Sequence, residues 1–180
     1  MALDPALRDD ILRTVPSLRA FAVSLSGNVD RADDLVQETL LRALANIDSF
    51  RPGTNLSAWL FTILRNQFRS EYRKRRREVE DADGKYAERL KVQPEQLGKI
   101  EFNELRAALA QLPDDQREAL VLVGASGFSY EEAAEICGCA VGTIKSRVNR
   151  ARNRLADLMS MSGTEDFVPD SVTRGLLAER

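Results

Sequence analysis

Ile144, Val148, Ala151 and Leu155 recur at steps of four, three and four, the spacing of one buried face of an α-helix. They sit in a stretch, residues 136–156, that has no acidic side chain and carries Lys145, Arg147, Arg150, Arg152 and Arg154, a local charge of +5 in a protein whose total is −2. The same spacing predicts an outward face of Lys145, Ser146, Asn149, Arg150 and Asn153, flanked by Arg152 and Arg154. Such side chains read base edges or grip phosphate oxygens. A helix serving solubility alone would mix charge signs and gain i,i+4 pairs of about 0.2–0.5 kcal/mol each. This one accepts repulsion between neighbouring arginines, which points to nucleic acid.

The residues before it complete the pattern. Ser129-Tyr130-Glu131-Glu132 fits a capping box opening a short helix through Ala133, Ala134 and Ile136, and Cys137-Gly138-Cys139 breaks it. Helix, tight glycine turn and second helix with a polar outward stripe is the helix-turn-helix layout, whose second helix enters the major groove. An earlier helix over Asp114 to Gly124, started by Pro113, closes the unit with Ala119, Leu120, Leu122 and Val123. Gly142, in the first turn of the second helix, costs roughly 1 kcal/mol relative to alanine. Two reasons for it stand side by side: close approach of a backbone, or tight packing on the preceding helix.

β-Branched alternation never persists, so the fold expected is all-α, in two small helical domains. Summed in blocks, charge is −1 over 1–30, +5 over 31–77, −3 over 78–112, −5 over 113–135, +5 over 136–156 and −3 over 157–180. Two basic blocks separated by acidic ones imply two nucleic-acid-facing modules and a connector, which the overall pI of about 5.4 conceals. No window offers a membrane span, and Asp4, Asp9 and Asp10 stand where a signal peptide needs a basic start and an apolar run, so a cytoplasmic location is expected. The chain has no histidine and two cysteines, Cys137 and Cys139. This disfavours catalysis, a metal site or a cofactor. Cysteines at i and i+2 in a turn are badly placed for a mutual disulfide, so reduced thiols filling space are expected; a redox sensor is the alternative.

In the first module, residues 4–25 place Leu7, Ile11, Leu18, Phe21 and Leu25 on one helical face, with Pro16 marking a kink or a break. A second helix, Arg31 to Asp48, buries Ala32, Leu35, Val36, Thr39, Ala43 and Ile47 and turns Asp33, Asp34, Gln37, Glu38 and Arg42 outward. A loop over Phe50 to Asn55 leads to a helix from Ser57 carrying Trp59, Leu60, Ile63 and Leu64 and ending in the basic run Arg69 to Arg77. Cation and aromatic together form a single-strand binding pattern. Trp59, Phe61 and Phe68 are better read as core than as base platforms, and Arg73 to Arg77 as phosphate contacts.

The segments Asp33-Asp34-Leu35-Val36-Gln37-Glu38-Thr39-Leu40, Ser57-Ala58-Trp59-Leu60-Phe61 with Asn66, the basic Arg73 to Arg77, and Gly142 to Arg152 together resemble an ECF-type (group 4) bacterial RNA polymerase sigma factor. The stretch Cys137 to Arg152 resembles the general-stress-response, EcfG-type subgroup. The resemblance implies an initiation subunit, not an enzyme, with region 2 over residues 1–77, a linker over 78–98, region 4 over 99–160 and a tail over 161–180. It implies core RNA polymerase (β′ clamp and β flap), promoter DNA and a small anti-sigma factor as partners, and no membrane. By position it assigns Asp33, Asp34, Leu35, Gln37 and Glu38 to the polymerase. Phe50, Arg51, Asn55, Arg65, Asn66, Arg69, Arg73 and Arg76 fall to the minus-10 element. Thr143, Lys145, Ser146, Arg147, Asn149, Arg150 and Arg154 fall to the minus-35 element, Thr143, Arg147 and Arg154 on phosphates.

Fully extended, the 21 residues 78–98 reach up to about 70 Å, against roughly 60 Å for about 17 base pairs between promoter elements. As a coil they average about 25 Å. The free protein is therefore expected not to hold its modules at promoter spacing, and any partner clamping the two together would block polymerase and DNA alike. A decoy mimicking a sigma factor, or a free-standing helix-turn-helix regulator, are the competing readings. Phe167, Val168, Leu176 and Leu177 in the tail either dock or belong to a mobile end.

Overall fold

The computed structural model describes residues 4–81 and 100–161. Of the expected linker 78–98, residues 78–81 continue α3 and residues 82–98 lie outside the described residues, as do the tail's Phe167, Val168, Leu176 and Leu177. Helix α1, Pro5–Ser26, starts on a proline, which lacks only an N–H that would have no helical partner anyway, and closes on Gly27 in the left-handed region at φ 66°. Pro16 lies inside this one helix, so the choice between kink and break resolves against a break. Asn28 then caps α2, Val29–Ala45, its side-chain oxygen accepting from Arg31 N at 2.9 Å. After a 3-10 turn at Ile47–Ser49 and a loop with Gly53 at φ 87°, α3 runs from Leu56 to Asp81, beyond the end of the first basic block.

The three helices pack on one another through the stripes their spacing prescribes. Ile11, Leu18, Phe21 and Leu25 of α1 meet Ala32, Leu35, Val36 and Ala43 of α2 and Leu60, Phe61 and Leu64 of α3. Phe68 is packed against this core and lies under the Arg31 guanidinium at 5.3 Å from its ring centre.

The second unit is α4, Ile100–Ala110, α5, Asp114–Leu120, α6, Tyr130–Cys137, and α7, Val141–Met161. Helix α5 passes into a widened turn at Val121–Ala125, where Ser126 N reaches back five residues to Val121 O at 2.9 Å. The predicted helix to Gly124 is thus an α-helix finished by a π turn. The capping box on α6 is complete: Glu132 N donates to Ser129 Oγ at 3.1 Å, and Ser129 N to Glu132 Oε2 at 2.9 Å. Ser129→Ala should lower unfolding free energy by about 1 kcal/mol in urea titration, and unchanged stability would mean water replaces the cap at no cost. Gly138, at φ 63°, ends α6, and Ile144, Val148, Ala151 and Leu155 are buried beneath α7 as their spacing predicts. A smaller core of Ala108, Leu155 and Met159 ties α4 to the far end of α7.

The two units share a core. Helix α3 packs on α6, and α1 on α5. Phe61 stands between Phe21, stacked at 5.0 Å between ring centres, and Phe128 of the second unit, edge-on at 4.8 Å.

Candidate nucleic-acid interface

On α7, Lys145, Ser146, Asn149, Arg150, Asn153 and Arg154 are all exposed, opposite the buried stripe. Ser146 Oγ donates to Thr143 O within the helix at 3.0 Å, and Asn153 Nδ2 donates to Asn149 Oδ1 at 3.2 Å. Lys145 Nζ stands 5.9 Å from the Tyr130 ring centre, a contact between the two helices of the pair. Gly142 is exposed, and a Cβ built there would meet nothing within 4 Å. Of the two reasons for that glycine, tight packing on the preceding helix is therefore excluded. Thr143 is half-buried. Arg147 differs from its neighbours: its Nε pairs with Asp115 Oδ2 on α5 at 3.0 Å, and 23% of its side chain is exposed. It braces the recognition helix as well as standing near its surface.

The cysteines at the turn are free. Burial, and secondarily the Glu118 carboxylate, push the Cys137 thiol up to about 12, so it stays a neutral, unreactive space-filler as expected of that turn. Cys139 is half-buried, with Arg147 Nη1 at 3.8 Å from its sulfur.

On the outward side of α2, Asp34 and Gln37 are exposed, whereas Asp33 receives Arg19 Nε of α1 at 2.6 Å and Glu38 receives Arg42 Nε at 2.9 Å. The Arg19 hydrogen bond holds the Asp33 carboxyl below its ordinary range. Leu35 is 1% exposed and belongs to the core beneath this face, unlike its outward neighbours. Leu41 and Leu44, further along α2, are 63% and 45% exposed.

The residues assigned to the minus-10 element are divided. Arg51, Asn66, Arg73 and Arg76 are exposed, and Phe50 is half-buried against Trp59 at 5.3 Å. Asn55 Oδ1 accepts from Ala58 N at 3.1 Å to cap α3, while its Nδ2 donates to Glu132 Oε1 at 2.6 Å. Arg65 is 6% exposed and forked onto Glu118 of α5, Nε to Oε1 at 2.6 Å and Nη2 to Oε2 at 3.3 Å. Arg69 Nη2 reaches the same carboxylate at 2.9 Å. Glu118 is a residue the sequence reading missed, and Glu132 was read there only as the acid of the capping box; the −5 charge of residues 113–135 did not say what it faced. The Glu132 carboxyl is held below its ordinary range, first by the Ser129 N–H and then by Asn55. Its folded-state pKa being depressed, its contribution is complete above the ordinary carboxylate range and is lost as pH falls through the lowered value.

A helix-turn-helix with an exposed basic face on its second helix is thus joined to a three-helix unit with an arginine-rich final helix. Residues 11–78 match Sigma-70 region 2 and residues 102–155 match Sigma-70, region 4. The chain is 74% identical over 177 residues to the ECF RNA polymerase sigma factor EcfG of Rhodopseudomonas palustris, covering 98% of each chain. It is 39% identical over 169 residues to the ECF RNA polymerase sigma factor SigC of Mycobacterium tuberculosis, covering 93% of this chain and 86% of the other. Its fold superposes with TM-score 0.80 and 56% identity on the sigma factor RpoE of Bartonella quintana, solved in complex with the anti-sigma factor NepR, over 87% of this chain and 98% of that one. The chain belongs to the ECF sigma factors of the sigma-70 family.

Proposed function

We propose that this sigma factor directs core RNA polymerase to stress-response promoters in the cytoplasm, that it is not itself an enzyme, and that a small anti-sigma factor controls it. The observation that carries the reading is the exposed stripe Lys145, Ser146, Asn149 and Arg150 on a helix whose other face is fully buried. A mimic of a sigma factor needs only the protein-binding surfaces, and would have no use for that stripe. The R. palustris relative is named as an ECF sigma factor, and the B. quintana relative is held by an anti-sigma factor, which supports the assignment of both partners. Among the described residues no helix is long and apolar enough to cross a membrane.

In this reading residues 1–77 form region 2, 78–98 the linker, 99–160 region 4 and 161–180 the tail. Asp34 and Gln37, with Asp33 and Glu38 beside them, meet the polymerase β′ clamp. Phe50, Arg51 and Asn55 take the minus-10 base, and Arg65, Asn66, Arg69, Arg73 and Arg76 follow the non-template strand. Lys145, Ser146, Asn149 and Arg150 read the minus-35 duplex; Thr143, Arg147 and Arg154 hold its backbone, with Gly142 permitting close approach.

Transcription in vitro from promoter DNA with purified core polymerase tests it. Promoter-specific transcripts that require the added chain are expected. None, with inhibitor absent, would favour the decoy, and a sequence-specific footprint by the chain alone would favour a free-standing regulator.

A further inference from the structure

Lys145 and Arg147 are two cations near the start of α7, and a neighbouring helix holds each of them in a different way. Arg147 Nε pairs with the Asp115 carboxylate of α5 at 3.0 Å. Lys145 Nζ instead stands 5.9 Å from the ring centre of Tyr130, the first residue of α6, and forms no ion pair among the described residues. The two kinds of partner leave different things for a ligand. A carboxylate orients a cation but offsets its charge and competes for its donors. A ring face orients the ammonium through its quadrupole and carries no net charge, so Lys145 keeps its full charge and its three N–H donors.

The ring is itself fixed. Tyr130 is half-buried and packs against the core, and it follows Ser129, whose reciprocal cap with Glu132 pins the first turn of α6. An ammonium on a flexible four-carbon stem samples many rotamers in water, and confining it beforehand reduces the freedom that binding must remove. The hydrogen bonds of Ser146 and Asn149, by contrast, stay within α7.

We propose that Tyr130 is a positioning residue for promoter recognition: its ring face holds the Lys145 ammonium, still fully charged, in the orientation that meets base-edge acceptors such as guanine O6 and N7. Discrimination at one base pair then depends on a side chain of the first helix that does not itself read the base. The aromatic face does this, and the hydroxyl has no part in it. The proposal rests on the reading of Lys145 as a minus-35 residue given above.

The test measures the affinity of the full chain, assembled with core polymerase, for promoters varied one base pair at a time across the minus-35 element. Tyr130→Phe keeps the ring and should keep the wild-type preference at every position. Tyr130→Leu keeps an apolar side chain on the core and should lose about two- to fivefold in preference at a single base pair, the one at which Lys145→Ala also loses preference. Added to Lys145→Ala, Tyr130→Leu should change nothing further. A loss in Tyr130→Phe equal to that in Tyr130→Leu would make the hydroxyl the working group. A loss in Tyr130→Leu that is uniform over sequences, or that persists beside Lys145→Ala, would make Tyr130 a support of the fold. Either result overturns the proposal. So does an unchanged preference in Tyr130→Leu while Lys145→Ala shows its position-specific loss, an outcome that leaves the minus-35 reading of Lys145 standing. Lys145→Ala with no position-specific loss sinks that reading and the proposal together.

Discussion

Phe61→Ala is expected to lower the unfolding free energy by about 3–5 kcal/mol, the cost of a large cavity in a well-packed core. The ring is 1% exposed and contacts a second phenylalanine on each side, Phe21 within region 2 and Phe128 from region 4. Its removal withdraws apolar area from water-excluded packing and breaks two aromatic contacts at once. Because one of those contacts crosses between the units, the transition should also lose cooperativity, with region 4 and region 2 melting apart. Urea titration followed by circular dichroism, with Trp59 fluorescence as a region 2 probe, measures both effects. A loss under about 1 kcal/mol would mean that the neighbouring side chains collapse into the space, contrary to the close packing that interiors normally show.

Arg150→Ala is expected to lose about 1–3 kcal/mol of discrimination at one position of the minus-35 element, since a bidentate guanidinium contact to a base edge is the commonest source of that much selectivity. Arg150 is exposed beside Asn149 and one turn beyond Ser146, in the middle of the stripe proposed to read the minus-35 element. Arg154, a turn further from the helix start, should behave differently: Arg154→Ala weakens binding by a similar amount on every sequence. Holoenzyme affinity for promoters varied one base pair at a time separates the two. A uniform loss for Arg150→Ala would move that residue to the phosphate backbone.

Helical faces were legible before any coordinates. Ile144, Val148, Ala151 and Leu155 on α7, and Ile11, Leu18, Phe21 and Leu25 on α1, are buried because a period near 3.6 places them on one side whatever they pack against. The Ser129 to Glu132 capping box and the Gly138 turn were equally local, each needing only residues within one turn. The basic stripe of α7 was readable for the same reason. What Arg147 does was less so: its partner Asp115 lies on another helix, and only packing brings the two together.

The chain by itself therefore determined six of the described α-helices, all but α4, with their buried and outward faces and the sorting of positive charge onto α3 and α7, because these follow from spacings of three and four residues. The tertiary structure alone decided that the acids of α5 and α6 face the arginine stripe and the loop of region 2. Arg65 and Glu118 are 53 residues apart, and Asn55 and Glu132 are 77. No periodicity spans such separations; the charges meet because the two units pack on a shared apolar core, Phe61 against Phe128 within it.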